Sequence, residues 1–175
     1  MFVELLDIIK NRRSIRKYYK EDIPTEDLYK ILEAARWAPS AGNLQPWEFI
    51  IIKNDTIKEK IASAAYGQYW ITEAPIIIIA CSDIYRTASV YGRRGKDLYC
   101  IQDVAAAIQN ILLMAHYMGY GTCWVGAFNE EEISSILSLP EHVRPLAIIP
   151  IGKPREKPAP RKRRPLHEII HYEKW

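Results

Sequence analysis

Apolar side chains recur at helical spacing near the start of the chain, at Phe2, Leu5, Leu6 and Ile9. This predicts an amphipathic helix over residues 2–10 that ends at the segment RRSIRKY. Thr25 follows Pro24 as a candidate N-cap, and Glu26 and Asp27 sit where a helix dipole favours acids. Leu28, Ile31, Leu32 and Ala35 then carry a second helical stripe up to Pro39. The segment WEFIII, Trp47 to Ile52, is short and rich in β-branched residues between Pro46 and Asn54-Asp55, so it reads as a strand. A third helix is expected from Thr56 to Tyr66.

After Pro75 every position from Ile76 to Cys81 is apolar, the pattern of a central strand covered on both faces. Leu98, Ile101, Ala105, Ile108, Leu112 and Ala115 predict the longest helix, Asp97 to Met118, with Ala105, Ala106 and Ala107 allowing close packing and Gly119 and Gly121 ending it. A strand fits Thr122 to Ala127, Asn129 with Glu132 forms a capping box for a helix to Leu137, and Leu146 to Ile151 is the last strand of the body. Interleaved helices and strands give an α/β or α+β sheet sandwiched by helices. Residues 83–99 show no clean period. They read either as a solvated loop or as a cover over a site, with Tyr85, Tyr91, Arg93, Arg94 and Tyr99 available for stacking or anion contacts.

The chain has 175 residues, 49% apolar and 26% charged, which fits one domain spanning 1–175. The longest uninterrupted apolar run, Ala74 to Cys81, is far short of the roughly 20 residues of a membrane span. The N-terminal basic cluster follows its apolar stretch, the reverse of a secretory signal, so a cytoplasmic protein is expected. Cys81, Cys100 and Cys123 are an odd, widely spaced set and read as reduced core thiols. His116, His142, His167 and His171 are scattered except for the last two, which sit four apart and could share a helical face, and a metal site needs more ligands than that pair. GxSxG, GxxxxGKS/T and GxGxxG are all missing, which removes the common hydrolase, P-loop and dinucleotide-fold chemistries.

Charge adds the first sharp feature. Lys153 to Arg164 holds seven basic residues against Glu156 alone, a net of +6 in a chain whose total is +3. Pro154, Pro158 and Pro160 keep this stretch extended, so it is no helix interior. It begins an arm, residues 153–175, that closes on LHEIIHYEKW, whose Leu166, Ile169, Ile170, Tyr172 and Trp175 call for a covering surface, as a partner subunit provides. A solvated basic tail or a nucleic-acid contact is the plainer reading of the charge.

Four segments carry candidate chemistry. Arg12, Ser14 and Arg16 in RRSIRKY suit a phosphate, since guanidinium groups offer bidentate charged bonds and serine a directional donor; basic residues at a helix C-terminus also simply answer the dipole. APSAGNLQPWEF, Ala38 to Phe49, holds Ser40, Asn43 and Gln45 between two stiffening prolines with Gly42 free to take a positive φ, which suits a planar, amide-rich ring or an ordinary capped loop. Val125-Gly126 in GYGTCWVGAF lets backbone approach a flat ligand. Arg161 and Arg163, two apart in extended chain, share one side.

Together with IQDVAAAIQNILLMAHYMGYGTCWVGAF and the closing GKPREKPAPRKRRPL, these segments resemble the short form of the nitroreductase family of FMN-dependent oxidoreductases, from residue 7 to the end. The resemblance implies an α+β fold in which a mixed sheet is wrapped by helices, in a domain-swapped homodimer whose C-terminal arms embrace the other subunit. It implies FMN as cofactor and NAD(P)H as electron donor, with hydride passing through flavin N5 in ping-pong fashion to electron-poor acceptors such as nitroaromatics or quinones. Arg12, Arg13, Ser14 and Arg16 would reach the phosphate and flavin edge, with Arg161 and Arg163 closing on the phosphate. Pro39, Ser40, Ala41, Asn43 and Gln45 would come from the opposite subunit, and Val125 and Gly126 would line the ring by backbone. Gln68 is the one polar candidate in its segment for a further flavin contact. No side-chain acid, base or nucleophile is required, because the cofactor carries the hard step. Flavin fragmentation or reductive dehalogenation are alternatives within the family; a nucleic-acid module built on the basic arm is the alternative outside it.

Overall fold

The computed structural model describes residues 4–175, so Phe2 of the first helical stripe lies outside the described residues. Helices α1 (Leu5–Asn11) and α2 (Thr25–Arg36) precede strand β1 (Trp47–Ile52), helix α3 (Asp55–Ala64) and strand β2 (Ile76–Asp83). Helix α4 (Ile84–Arg94), a π-helical turn (Gly95–Tyr99) and helix α5 (Cys100–Tyr117) follow, then strand β3 (Gly121–Thr122), helix α6 (Glu130–Leu137) and strand β4 (Val143–Gly152).

The sheet has the order β1-β2-β4-β3, and β2 is central as its apolar run predicts. Its residues part by parity. Ile76, Ile78 and Ala80 join Ala147, Ile149 and Ile151 of β4 in a core roofed by α2 and α5. Ile77, Ile79 and Cys81 join Ile148 in a second core under α3 and α6. Each face removes a row of branched side chains from water at about 25 cal/mol per Å², so β2 is fastened from both sides. All three thiols are free and buried.

Several expectations are corrected. The four strands pair antiparallel throughout, and the parallel element of the expected mixed sheet is reduced to one isolated bridge, Ser14 with Thr122. The predicted strand Thr122–Ala127 shrinks to Gly121–Thr122, after which only Val125 returns to pair with Ile148. Pro24, not Thr25, holds the cap position of α2, and no side chain caps it. The third helix starts earlier because the Asn54 side chain caps it, accepting from Ile57 N at 3.0 Å. The Asn129–Glu132 box forms as expected, Asn129 Oδ1 accepting from Glu131 N and Glu132 N.

Residues 83–99 are no loop. Asp83 caps α4 by accepting from Tyr85 N and Arg86 N; α4 breaks at Gly92 (φ 54°), and the π-helical turn leads directly into α5. Gly95 is required there, because a Cβ would lie 2.5 Å from the Thr87 carbonyl oxygen. Among the described residues, Ile84–Tyr117 is the one helical run long and apolar enough to cross a bilayer by length and composition. Within it, Val104, Ala107, Ile108, Ile111, Leu112 and Ala115 pack into the core beneath the sheet.

The arm leaves β4 pinned to the N-terminal segment. Lys153 O accepts from Tyr19 N at 3.0 Å, and Arg155 N donates to Lys17 O at 2.9 Å. Beyond it the chain is exposed: Leu166, Ile169, Ile170, Tyr172 and Trp175 all face solvent, Trp175 fully.

Candidate functional site

The end of α1 delivers RRSIR across the sheet edge. Ile15 N donates to Thr122 O at 2.9 Å, and Ile15 itself is buried, so the alternating residues Ser14 and Arg16 turn away from the core. The arm passes over the same segment, and Arg12, Arg13, Ser14, Arg16, Arg161 and Arg163 line one cavity of about 460 Å³. Five guanidinium groups and a hydroxyl thus converge from two ends of the chain. A space of this size is in the range of small-molecule sites.

The cations are not neutralised by one another. Burial, with Arg163 and Arg13 close by, holds the Arg12 guanidinium below its ordinary range despite the pull of Cys123. Arg12 Nη1 and Arg13 Nε are buried with no hydrogen-bond partner among the described residues. Buried unpaired donors are costly unless something accepts from them. A phosphate offers several acceptor oxygens and two negative charges, so the donor set fits the phosphate end of FMN. His116 lies behind the same arginines, and burial, then Arg12 and Arg13, hold its imidazole below the usual value.

The elements expected to meet a flat ligand follow Thr122, which bridges to Ser14 of this cavity. Val125 is buried and, against expectation, does not offer its backbone to a ligand, because its N–H donates to Ile148 O and its carbonyl accepts from Ile148 N, both at 3.0 Å; Gly126 is exposed, and a Cβ there would meet only Trp124 Nε1 at 3.9 Å. Gln68 spends its side-chain amide on Ala65 O (2.9 Å) and Ala127 O (3.0 Å), so it braces the turn after Gly126. Trp70 lies under Arg16, with the guanidinium carbon 5.6 Å from the ring centroid. Nothing in the chain order marks that pairing; a tryptophan near Gln68 was its only signal. Burial pushes the Cys123 thiol up, against Arg16, Ser14 and Arg12, which keeps it an inert neighbour.

The loop Pro39–Gln45 is not part of this cavity. It is a tight structure of its own: Gly42 (φ 56°), Asn43 (φ 56°) and Gln45 (φ 51°) are left-handed, and Ser40 Oγ accepts from Gln45 N at 3.0 Å. Gln45 Nε2 donates to Asn43 O at 3.1 Å, so Ser40, Asn43 and Gln45 spend polar groups shaping the loop. Ala41 N donates to Asp103 Oδ1 of α5 at 3.0 Å. Pro39, Gly42 and Asn43 remain exposed.

Comparison with known proteins bears on the family and the fold. The sequence model of the nitroreductase family matches residues 9–72 and 62–153. A protein of Methanothermobacter thermautotrophicus with the provisional name NADH dehydrogenase/NAD(P)H nitroreductase is 40% identical over 177 residues, covering 99% of this chain and 88% of that one. The FMN reductase [NAD(P)H] of Bacillus subtilis is 30% identical, covering 98% of this chain and 74% of that protein. The NADPH:FMN oxidoreductase of Vibrio harveyi, solved in complex with NAD+, superposes with a TM-score of 0.90 at 25% identity, over 98% of this chain and 77% of that one. With its helix-wrapped antiparallel sheet, its arginine-lined cavity and a family match that runs over most of its length, the chain belongs to the nitroreductase family.

Proposed function

We propose that the protein is an FMN-dependent NAD(P)H oxidoreductase acting on small electron-poor molecules such as nitroaromatics or quinones, in the cytoplasm. The observation that carries the reading is the convergence of Arg12, Arg13, Ser14, Arg16, Arg161 and Arg163 on one cavity, with two buried guanidinium nitrogens unsatisfied. The FMN reductase and NADPH:FMN oxidoreductase relatives support it.

FMN held there would supply two-electron redox chemistry between NAD(P)H and an electron-poor acceptor. The chain's own residues bind and orient. The arginines hold the phosphate by charge-assisted bonds, and Ser14 adds a directional donor. The exposed Gly126 backbone admits a flat ring without a Cβ in the way. Protons for the reduced acceptor come from water, so no titrating side chain is needed.

Pro39–Gln45 belongs to the same site in the second copy of a homodimer. Two observations support this: the loop stands apart from its own chain's cation cavity, and the apolar arm from Leu166 to Trp175 is exposed without a surface to cover. A nucleic-acid role for the basic arm is disfavoured, because Arg161 and Arg163, though exposed, line the same cavity as Arg12.

The visible spectrum of the purified protein tests the reading, followed by release and chromatography of any chromophore. FMN with bleaching by NAD(P)H is expected. Colourless protein that takes up no FMN overturns it.

A further inference from the structure

Asp103 is an unusual residue for the buried face of a core helix. It is 6% exposed, and Oδ1 accepts from Ala41 N at 3.0 Å while Oδ2 is buried without a hydrogen-bond partner among the described residues. Burial raises its pKa, only partly offset by the Ala41 N–H. Helix α5 would gain from an apolar side chain here, since a half-satisfied buried carboxylate costs more than its one bond returns.

What that one bond holds is specific. Residues 40–45 contain three left-handed positions, two of them not glycine, and such backbone persists only where its surroundings over-determine it. The remaining hydrogen bonds of residues 40–45 run within the loop: Asn43 N to Ser40 O, Leu44 N to Ala41 O, Gln45 N to Ser40 Oγ. Among the described residues, Ala41 N to Asp103 is the hydrogen bond that ties residues 40–45 to the rest of the molecule. Tyr91 of α4 seats its hydroxyl against Gly42, where a Cβ would come within 2.7 Å, and so closes the loop from the other side.

We propose that Asp103 is a positioning residue for the flavin, setting through the Ala41 amide the shape in which Pro39–Gln45 meets the cofactor. The inference rests on the FMN reading above. It separates two properties that a structural residue would keep together, because removing the carboxylate leaves folding intact or improves it while cofactor binding falls.

The test uses the full chain, with FMN titrated into the apoprotein by flavin fluorescence, the apoprotein Tm measured alongside, and circular dichroism of the bound flavin as a report on its surroundings. Asp103→Leu is expected to bind FMN at least about tenfold more weakly, with altered flavin dichroism and an apoprotein Tm at or above wild type. Asp103→Asn keeps an acceptor for Ala41 N and is expected within about threefold of wild type. Ala41→Pro removes the bond from the donor side; Ser40 is extended (φ −144°, ψ 154°), as a residue before proline prefers, so the chain tolerates it. It should match Asp103→Leu, and the double variant should be no weaker than either alone, since both delete one bond.

Asp103→Leu with wild-type affinity and dichroism overturns the proposal, as do additive losses in the double variant or an Asp103→Asn as weak as Asp103→Leu. If Asp103→Leu does not fold, Ala41→Pro carries the same decision. Wild-type protein that takes up no FMN refutes the cofactor reading instead, so the two failures are distinct.

Discussion

Arg16 donates its backbone N–H to a Glu156 carboxylate oxygen at 2.6 Å, across 140 residues of sequence. With the bonds of Lys153 to Tyr19 and Arg155 to Lys17, and the Arg155–Glu73 ion pair, this fastens the arm over the arginine segment before it reaches Arg161. Glu156 is also the one acid of the basic stretch, so it anchors the arm and opposes an anion at the same time.

Those two effects are separable. Glu156→Gln keeps an acceptor and removes the charge, and should tighten FMN by about threefold at low ionic strength, the gain fading in high salt. Glu156→Ala loses the anchor and should speed proteolysis of the arm after Lys153. Fluorescence titration at two salt concentrations reads the first effect, and equal affinities at low salt would contradict it.

Replacing Arg161 and Arg163 together by Ala removes charge-assisted bonds worth about 1.5–3 kcal/mol each. FMN affinity should fall at least about tenfold, while riboflavin, which lacks the phosphate, should be little affected. Equal losses for both ligands would place the phosphate elsewhere.

Two glycines with opposite surroundings should respond differently to alanine. At Gly121 a Cβ would lie 2.8 Å from Ile15 Cγ1 and 2.9 Å from Ile15 Cβ, inside a packed contact. Gly121→Ala should lower stability by about 1–3 kcal/mol and weaken FMN binding, because residues 12–16 must move. Gly126→Ala meets open space, so its Tm should stay at the wild-type value while FMN binding weakens. Thermal unfolding of both apoproteins with parallel FMN titration checks the contrast.

Tyr120 gives a pH dependence at the alkaline end. Its buried phenol donates to Asp27 Oδ2 at 2.6 Å, and burial followed by that bond pushes it up to about 12. An unfolded tyrosine titrates near about 10, so the native state favours the protonated form. This stability is fully present below about pH 10 and is lost as pH rises through about 12. Tyr18, raised chiefly by burial, adds the same sign. Tyr120→Phe should lose about 1 kcal/mol at neutral pH and show a shallower alkaline fall in urea unfolding. An identical slope would assign the alkaline loss to other groups.

Strong periodicity was readable in the chain, as in β2, where six successive apolar residues admit no exposed face. Weak periodicity was not. Helix α4 buries only Ile84 and Thr87, so its apolar stripe is too thin to register. The strand expected to reach Ala127 breaks at Cys123 and Trp124 although β4 continues past them and the register resumes at Val125–Ile148; the facing stretch of β4 holds Pro150, which has no N–H to donate, and that partner lies elsewhere in the sequence.

The site divides the same way. Residue types alone determined that Arg12, Arg13, Ser14 and Arg16 could hold an anion and that a proline-stiffened loop could meet a flat ring, because charge, hydrogen-bonding capacity and backbone freedom are local properties. Tertiary structure decided which of these share a space: it brought Arg161 and Arg163 to Arg12, kept Pro39–Gln45 apart from them, slid Trp70 under Arg16, and joined Ala41 to Asp103 across 62 residues. Those relations depend on the strand order β1-β2-β4-β3, which sets Pro39–Gln45 before one edge strand and Ser14 beside the other, an order that no local pattern encodes.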